Sequence, residues 1–199
     1  MIAGVVLAAG RSSRLGRPKQ LLAINGEPLL RYTVRRILTS ALDEIFVVVG
    51  HEAEAVGAAV ADLPVSVVVN PDYALGQSTS VRAGLAVLPQ ETEAAIFLLG
   101  DQPEVNADTI DALIAAWRSS GASVTAPSYG NTIGNPILFA KSAFPQFTVL
   151  TGDTGARAIV ETHRQTGDLL TVPIDSLPPR DIDTESDYEA LLASLQQRV

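Results

Sequence analysis

The chain reads as an α/β protein, a three-layer sandwich around a mostly parallel sheet. Three features carry that reading. Short apolar runs alternate with amphipathic stretches along the whole length, and most of those runs are continuously apolar, as strands covered on both faces must be. No repeat, low-complexity tract or linker interrupts the pattern, so residues 1–199 are read as one domain. Strand–helix alternation of this kind builds a sheet through right-handed crossovers.

Taken in order, residues 2–7 form the first strand, which ends abruptly in a small-residue loop. Glu27, flanked by Gly26 and Pro28, marks a turn or helix start ahead of a helix over 29–40. A strand at 45–49, a helix at 53–61, a strand at 65–69 and a helix at 78–88 follow. Next come a strand at 95–99, a helix at 107–119 and strands at 123–126 and 137–139. A helix at 154–166, a strand at 169–172 and a helix at 185–197 complete the chain. The last helix has a clear start signal, because Thr184 offers a capping hydroxyl and Asp187 an acid three residues on. Ligands of open parallel sheets sit beyond the carboxyl ends of the strands. The loops at 8–19, 50–52, 70–72 and 100–103 are therefore the places to look.

Composition narrows the function. With 199 residues, 47% of them hydrophobic and 18% charged, the chain can bury a substantial core. A net charge of −8 argues against general affinity for nucleic acid. The absence of cysteine excludes disulfides, thiolate zinc sites and cysteine nucleophiles. No apolar run approaches the roughly 18 residues of a membrane span, and the chain begins in a strand rather than a signal peptide. A cytoplasmic protein without membrane contact is expected.

Against that acidic background the first 19 residues hold four cations and no acid. Leu7, Ala8, Ala9 and Gly10 leave no bulky side chain between the backbone N–H groups and a ligand, and Arg11, Ser12, Arg14, Arg17 and Lys19 follow. Such a loop can wrap phosphate oxygens with main-chain donors while its cations supply charge. It is neither of two familiar glycine loops. A Walker A loop needs G-x-x-x-x-G-K-[ST], whereas Gly16 is followed by Arg17-Pro18-Lys19-Gln20; the dinucleotide fingerprint G-x-G-x-x-G is absent too.

Asp101 follows the fourth strand and Gly100 directly, so its carboxylate stands at the ligand edge as a hard oxygen suited to a Mg²⁺–triphosphate. The same position, ahead of Pro103, also suits an ordinary turn aspartate. Asp183 precedes the last helix, where acids are common for the helix dipole alone. Asn70 closes the third strand. Gln77, Ser78 and Ser80 crowd polar groups into the first turn of the next helix, able to read base, ribose or phosphate, or merely to cap. Gly134-Asn135-Pro136 and Gly152-Asp153, with Arg157 beyond, are further polar loops whose glycines allow close backbone approach. Residues 129–134 and 147–155 are candidate closing loops. His51 and His163 are too far apart in sequence for a metal motif and are assigned to the surface.

L-A-A-G-R-S-S-R-L-G-R-P-K, G-Q-S-T-S-V-R-A-G-L, G-D-Q-P, G-N-P-I-L-F, G-D-T-G-A-R and D-I-D-T-E-S-D-Y occur in that order. This series resembles the MobA-like nucleotidyltransferases, and within them the molybdopterin cytidylyltransferase (MocA-like) branch, from Val5 to about Tyr188. The resemblance implies a Rossmann-like sheet of the nucleotide-diphospho-sugar transferase type. It also implies transfer of a nucleotidyl group from a nucleoside triphosphate to a phosphorylated acceptor, with release of pyrophosphate. Arg14 and Lys19 would then meet the triphosphate, with Asp101 and Asp183 holding Mg²⁺. The polar loops of the second half would hold the acceptor. Leu7-Ala8-Ala9-Gly10 and Ser78-Thr79-Ser80 look more like the cytidylyl than the guanylyl branch, so CTP and molybdopterin are the expected pair, in support of a molybdenum hydroxylase. Gln77 and Thr79 depart from the Leu and Ser of cytidylyl enzymes. GTP as donor or another phosphorylated acceptor is the alternative within this chemistry. A nicotinamide- or flavin-dependent oxidoreductase is the alternative outside it, disfavoured by the missing fingerprint. A non-catalytic pterin carrier would have no need of both Asp101 and Asp183.

Overall fold

The structure, a computed structural model, describes residues 1–196. Strand β1 (Ile2–Leu7) leads through the loop to a short hairpin of β2 (Ala23–Ile24) and β3 (Glu27–Pro28). There follow α1 (Leu29–Ile37), β4 (Glu44–Val49), α2 (Ala53–Ala58), β5 (Ser66–Val69), α3 (Gln77–Ala86), β6 (Ala94–Leu99) and α4 (Ala107–Ser120). The second half contains β7 (Val124–Tyr129), β8 (Thr132–Ile133), β9 (Ile137–Ala140), α5 (Arg157–Thr166), β10 (Leu169–Pro173) and α6 (Glu185–Gln196).

Among the described residues the main sheet runs β10-β7-β9-β6-β1-β4-β5, with β8 also paired to β7. The expected mostly parallel sheet is present. Strands β5, β4, β1 and β6 are mutually parallel, β10 is parallel to β7, and only β8 and β9 run against their neighbours. The register sets the site. Leu7 lies opposite both Val48 and Leu99, so the chain leaves β1, β4 and β6 at one level. There the Ala8 N–H donates to the Val48 carbonyl (2.8 Å) and the Gly100 N–H to that of Leu7 (3.0 Å), which brings Asp101 beside the first loop.

Helices cover both faces, as the continuous apolar strands require. On one side Leu30, Val34, Ile37, Val56, Ile110 and Ile114 pack on Val6, Val47, Ile96 and Leu98. On the other, Val81, Phe147, Ile159 and Val160 meet Val5, Val48, Phe97 and Phe139. Helix α3 lies close to the sheet because of Gly84, where a Cβ would stand 2.5 Å from Val5 Cγ1. That close seat delivers the first turn of α3 to the ligand edge. A third cluster, Leu22, Ile24, Leu29, Ile182 and Leu191, ties the hairpin to α6 and thereby holds residues 181–183 near the first loop.

Local signals fix both ends of α4 and the start of α6. Asn106 accepts the Thr109 N–H (2.9 Å) at the start of α4, and Gly121 ends it in the left-handed region at φ 68°. The expected reciprocal cap of α6 forms, with the Asp187 N–H on the Thr184 hydroxyl and the Thr184 N–H on the Asp187 carboxylate. Gln197, the expected last residue of that helix, lies outside the described residues.

Other boundaries moved. Helix α2 stops at Ala58 because Val60 and Leu63 close tight turns ahead of Pro64. Helix α5 begins at Arg157 rather than residue 154, after the turn at Gly152 (φ 59°). The segment 129–134, a candidate closing loop, is largely the β7–β8 hairpin, and Lys141–Val149 folds as 3₁₀ turns. His163, expected at the surface, is buried with its Nε2 against the Gln146 side chain. No described helix is long and apolar enough to cross a membrane.

Candidate active site

The loop after β1 is fixed from behind. Buried Gln20 donates its amide to the carbonyls of Ala8 (3.0 Å) and Gly10 (3.1 Å). Ser12 adopts a left-handed backbone (φ 55°), uncommon for a residue with a side chain, and its hydroxyl accepts the Lys19 N–H (3.0 Å). With the carbonyls engaged, the N–H groups of Gly10, Arg11 and Ser13 donate to no protein group among the described residues. An array of free amides of this kind is a nest for an anion.

The loop forms one wall of a cleft of about 490 Å³ lined by Leu7, Ala8, Ala9, Gly10, Arg11 and Lys19, and by Gly100 and Asp101 across from them. Gln77 and Ser80 line it from α3, joined by Tyr73, which the sequence reading passed over. An aromatic residue just beyond a strand end was a legible signal, since ligands of such sheets gather there.

Lys19 organises the charges. Its Nζ bonds to Asp101 Oδ2 and, at 2.7 Å, to Asp183 Oδ1, while Arg14 Nη1 reaches Asp183 Oδ2 at 2.8 Å. Two carboxylates 82 residues apart in sequence thus converge on one cationic nitrogen. Burial alone would lower the Lys19 pKa, but Asp101 and Asp183 outweigh it and raise it. Burial raises the Asp101 carboxyl above the usual aspartate range despite the ammonium beside it. The hydrogen bond from Lys19, with Arg14 nearby, holds Asp183 below that range.

Residues 180–183 are clamped along the loop after β6. Arg180 pairs with Glu104 (2.7 Å), Gln102 donates to Asp181 (2.8 Å), and the Ile182 N–H donates to the Asp101 carbonyl (3.1 Å). The position of Asp183 is therefore set by three contacts besides its own.

Several expected ligand contacts lie elsewhere. Arg14 is absent from the cleft lining and stands at its margin, 69% exposed, paired with Asp183; Arg17 is spent on Glu185 (2.9 Å). Ser12 turns its hydroxyl inward to Lys19 instead of lining the cleft. Asn70 is buried and gives its amide to the hydroxyls of Thr79 (2.9 Å) and Ser80 (3.0 Å), so it braces the start of α3 from beneath. Ser78 is fully buried, its N–H on the Gly152 carbonyl (3.1 Å). These residues build the cleft without facing it.

A second chamber of about 320 Å³ shares Leu7, Gln77, Leu99 and Asp153 with the cleft. Phe97 and Ile137 add to its apolar lining, and Asn135, Arg157 and Asp181 stand among its polar groups. Gly134 lines an adjoining cavity together with Asn135 and Arg157, while Pro136 and Gly152 line neither the cleft nor the chamber. Gly152 instead abuts Gly76, where a Cβ would meet its backbone at 2.2 Å, and so joins the two loops at the seam between cleft and chamber. Asn135 precedes Pro136 in a cis peptide, and its carbonyl accepts the Tyr129 hydroxyl (2.9 Å).

Burial pushes Tyr129 up to about 12. The neutral phenol is thus favoured by folding. Its contribution to stability is complete below pH 10 and is lost as the pH rises from there toward 12. Ultraviolet titration compared with that of Tyr129→Phe should assign to Tyr129 an ionisation at about pH 12, and its absence there would remove this assignment.

Comparison with known proteins agrees with this geometry. The family described as the MobA-like NTP transferase domain matches residues 4–167. Purine catabolism protein PucB of Bacillus subtilis (strain 168) is 32% identical over 194 residues, covering 94% of this chain and 93% of its own length. Nicotine blue oxidoreductase of Paenarthrobacter nicotinovorans is 30% identical over 198 residues, covering 96% of each. Among solved structures, Rv0371c from Mycobacterium tuberculosis H37Rv, in complex with manganese, superposes with a TM-score of 0.84 at 32% identity, over 97% of this chain and 98% of that one. With its phosphate-type loop, its mostly parallel sheet and the match along most of its length, the chain belongs to the MobA-like NTP transferase family and is a nucleotidyltransferase.

Proposed function

We propose that the whole chain works as one nucleotidyltransferase domain that moves CMP from CTP to the phosphate of molybdopterin, releasing pyrophosphate, with Mg²⁺ as its metal. The observation that carries this reading is the junction of two spaces at the end of β1. A cleft with free loop amides and a Lys19–Asp101–Asp183 cluster opens into a chamber with an apolar floor and polar groups. One suits a nucleoside triphosphate; the other suits a ring-bearing acceptor whose anionic end meets Arg157.

The donor set fits the metal. Asp101 and Asp183 are hard carboxylates that already share one cation, and they would hold a Mg²⁺ ion there. When bound, Mg²⁺ would neutralise charge developing on the phosphates. The amides of Gly10, Arg11 and Ser13 bind phosphate oxygens, and Lys19, with Arg14 at the margin, offsets their charge. Asn135, Asp153 and Arg157 orient the acceptor so that its phosphate oxygen approaches the α-phosphorus in line. No nucleophilic side chain is required, in keeping with a chain that has no cysteine.

The test is pyrophosphate release with Mg²⁺, molybdopterin and each of the four nucleoside triphosphates in turn. Release with CTP alone, dependent on molybdopterin, is expected. Release with GTP alone would replace the base, and release only with another phosphorylated acceptor would replace molybdopterin.

A second reading draws on the name of one relative, nicotine blue oxidoreductase. Hydride transfer would need a nicotinamide or flavin site, and G-x-G-x-x-G is missing from the loop after β1. Binding of NADPH or flavin would favour that reading over nucleotidyl transfer.

A further inference from the structure

We propose that Tyr73 is the stacking platform for the nucleobase, with its ring face covered by Arg11 until a base takes that place. This rests on the reading of the cleft as a nucleoside triphosphate site and adds where the base lies. Topology separates the two ends of the cleft. Asp101 leaves β6, whereas Tyr73 packs over Gly50 at the end of β4, and the sheet order β6-β1-β4 puts two strand spacings between those edges, about 10 Å. Lys19, which offsets phosphate charge, and Asp101, a metal ligand in the proposed reaction, belong to the β1–β6 side. The base therefore falls on the β4 side, where Tyr73, Ala74, Gly76 and Gln77 line the cleft.

The Tyr73 ring is held in place there. Gly50 lacks the side chain that would block it, since a Cβ would stand 2.5 Å from Tyr73 Cβ and 2.9 Å from Ala9 Cβ. His51 packs against the ring with centroids 5.9 Å apart, outside the lining of the cleft. The Arg11 guanidinium lies over the ring, 5.5 Å from its centroid. Every other cation of the first loop is bound to an acid: Arg14 to Asp183, Arg17 to Glu185 and Lys19 to both Asp101 and Asp183. Arg11 forms no ion pair among the described residues and rests on the aromatic face alone. A planar group already occupies this face of the cleft, and a nucleobase is a planar group of the same kind. Gln77 and Ser80, on the adjoining turn of α3, are placed to meet the base edge.

Binding of CTP and of inorganic tripolyphosphate, measured by calorimetry on the full chain, separates base from phosphate. Loss of a stacked base typically weakens binding by roughly 5- to 150-fold. Tyr73→Leu, which keeps bulk but removes the π face, should raise the Kd for CTP about tenfold and leave that for tripolyphosphate unchanged. Tyr73→Trp should bind CTP at least as tightly as the unaltered protein. Equal CTP affinity in Tyr73→Leu would overturn the proposal, as would a parallel loss for both ligands, which would mean a collapsed loop. If the unaltered protein bound tripolyphosphate but no nucleoside triphosphate more tightly, the nucleotide reading itself would fall and the stacking role with it.

Discussion

Lys19→Ala is expected to lower turnover by about 10²–10³, the scale on which a preorganised charge or donor acts on a transition state. In the unliganded protein its ammonium joins Asp101 to Asp183 and is 12% exposed, so the same change leaves Asp101 without its cation and Asp183 with Arg14 alone. Two effects follow, and they separate by readout. Loss of charge at the phosphates appears in kcat with nucleotide saturating. Loss of the bridge appears as lower thermal stability, and with burial then unopposed the Asp101 carboxyl should climb further above the usual range. Lys19→Arg keeps the charge with a different reach, and should recover stability more fully than rate. Turnover near that of the unaltered protein in Lys19→Ala would remove Lys19 from the reaction.

Phe139→Ala should cost about 3–5 kcal/mol of stability, the range for removing a large buried aromatic side chain. Phe139 is fully buried at the contact of Phe97 and Phe147, with ring centroids 5.8 Å and 4.9 Å away. The cavity would lie beneath Phe97, which lines the second chamber. Denaturant unfolding should therefore show a lowered midpoint, and acceptor KM should rise more than nucleotide KM in the molecules that remain folded. A loss below about 1 kcal/mol would mean that this part of the core collapses to fill the space.

The parallel half of the sheet was legible because β1, β6 and, beyond Glu44, β4 are continuously apolar, a pattern that burial on two faces demands. The reversed strand β9 was not. Its residues, Ile137–Ala140, are as apolar and as buried as a parallel strand, and direction leaves no mark on composition. The hairpin at 23–28 carried its own signal, Asn25-Gly26 with both residues at positive φ, the dipeptide favoured in tight hairpin turns. It was masked by the stronger reading of Gly26 and Pro28 as a helix start.

At the site, strand ends located Ala8–Gly10, Gly100 and Asp101 from the rule for parallel sheets alone. Asp183 required the family resemblance, since only folding brings the start of α6 to the first loop. The inward turn of Asn70 and Ser78 was hidden because hydroxyls and amides that brace a loop look the same in sequence as those that touch a ligand. Tyr73 was passed over because an aromatic residue in a turn reads as packing, although its place just beyond a strand end marked it for the ligand edge.

Nucleotidyl and phosphoryl transfer differ in which phosphorus of the nucleotide becomes attached to the acceptor. The most direct measurement follows CTP labelled separately at the α- and γ-phosphates, incubated with the protein, Mg²⁺ and molybdopterin. Nucleotidyl transfer puts the α-label in the acceptor conjugate and the γ-label in pyrophosphate. A γ-label in the acceptor would mean phosphoryl transfer instead. If molybdopterin left both labels in unreacted CTP, the proposed reaction would be contradicted.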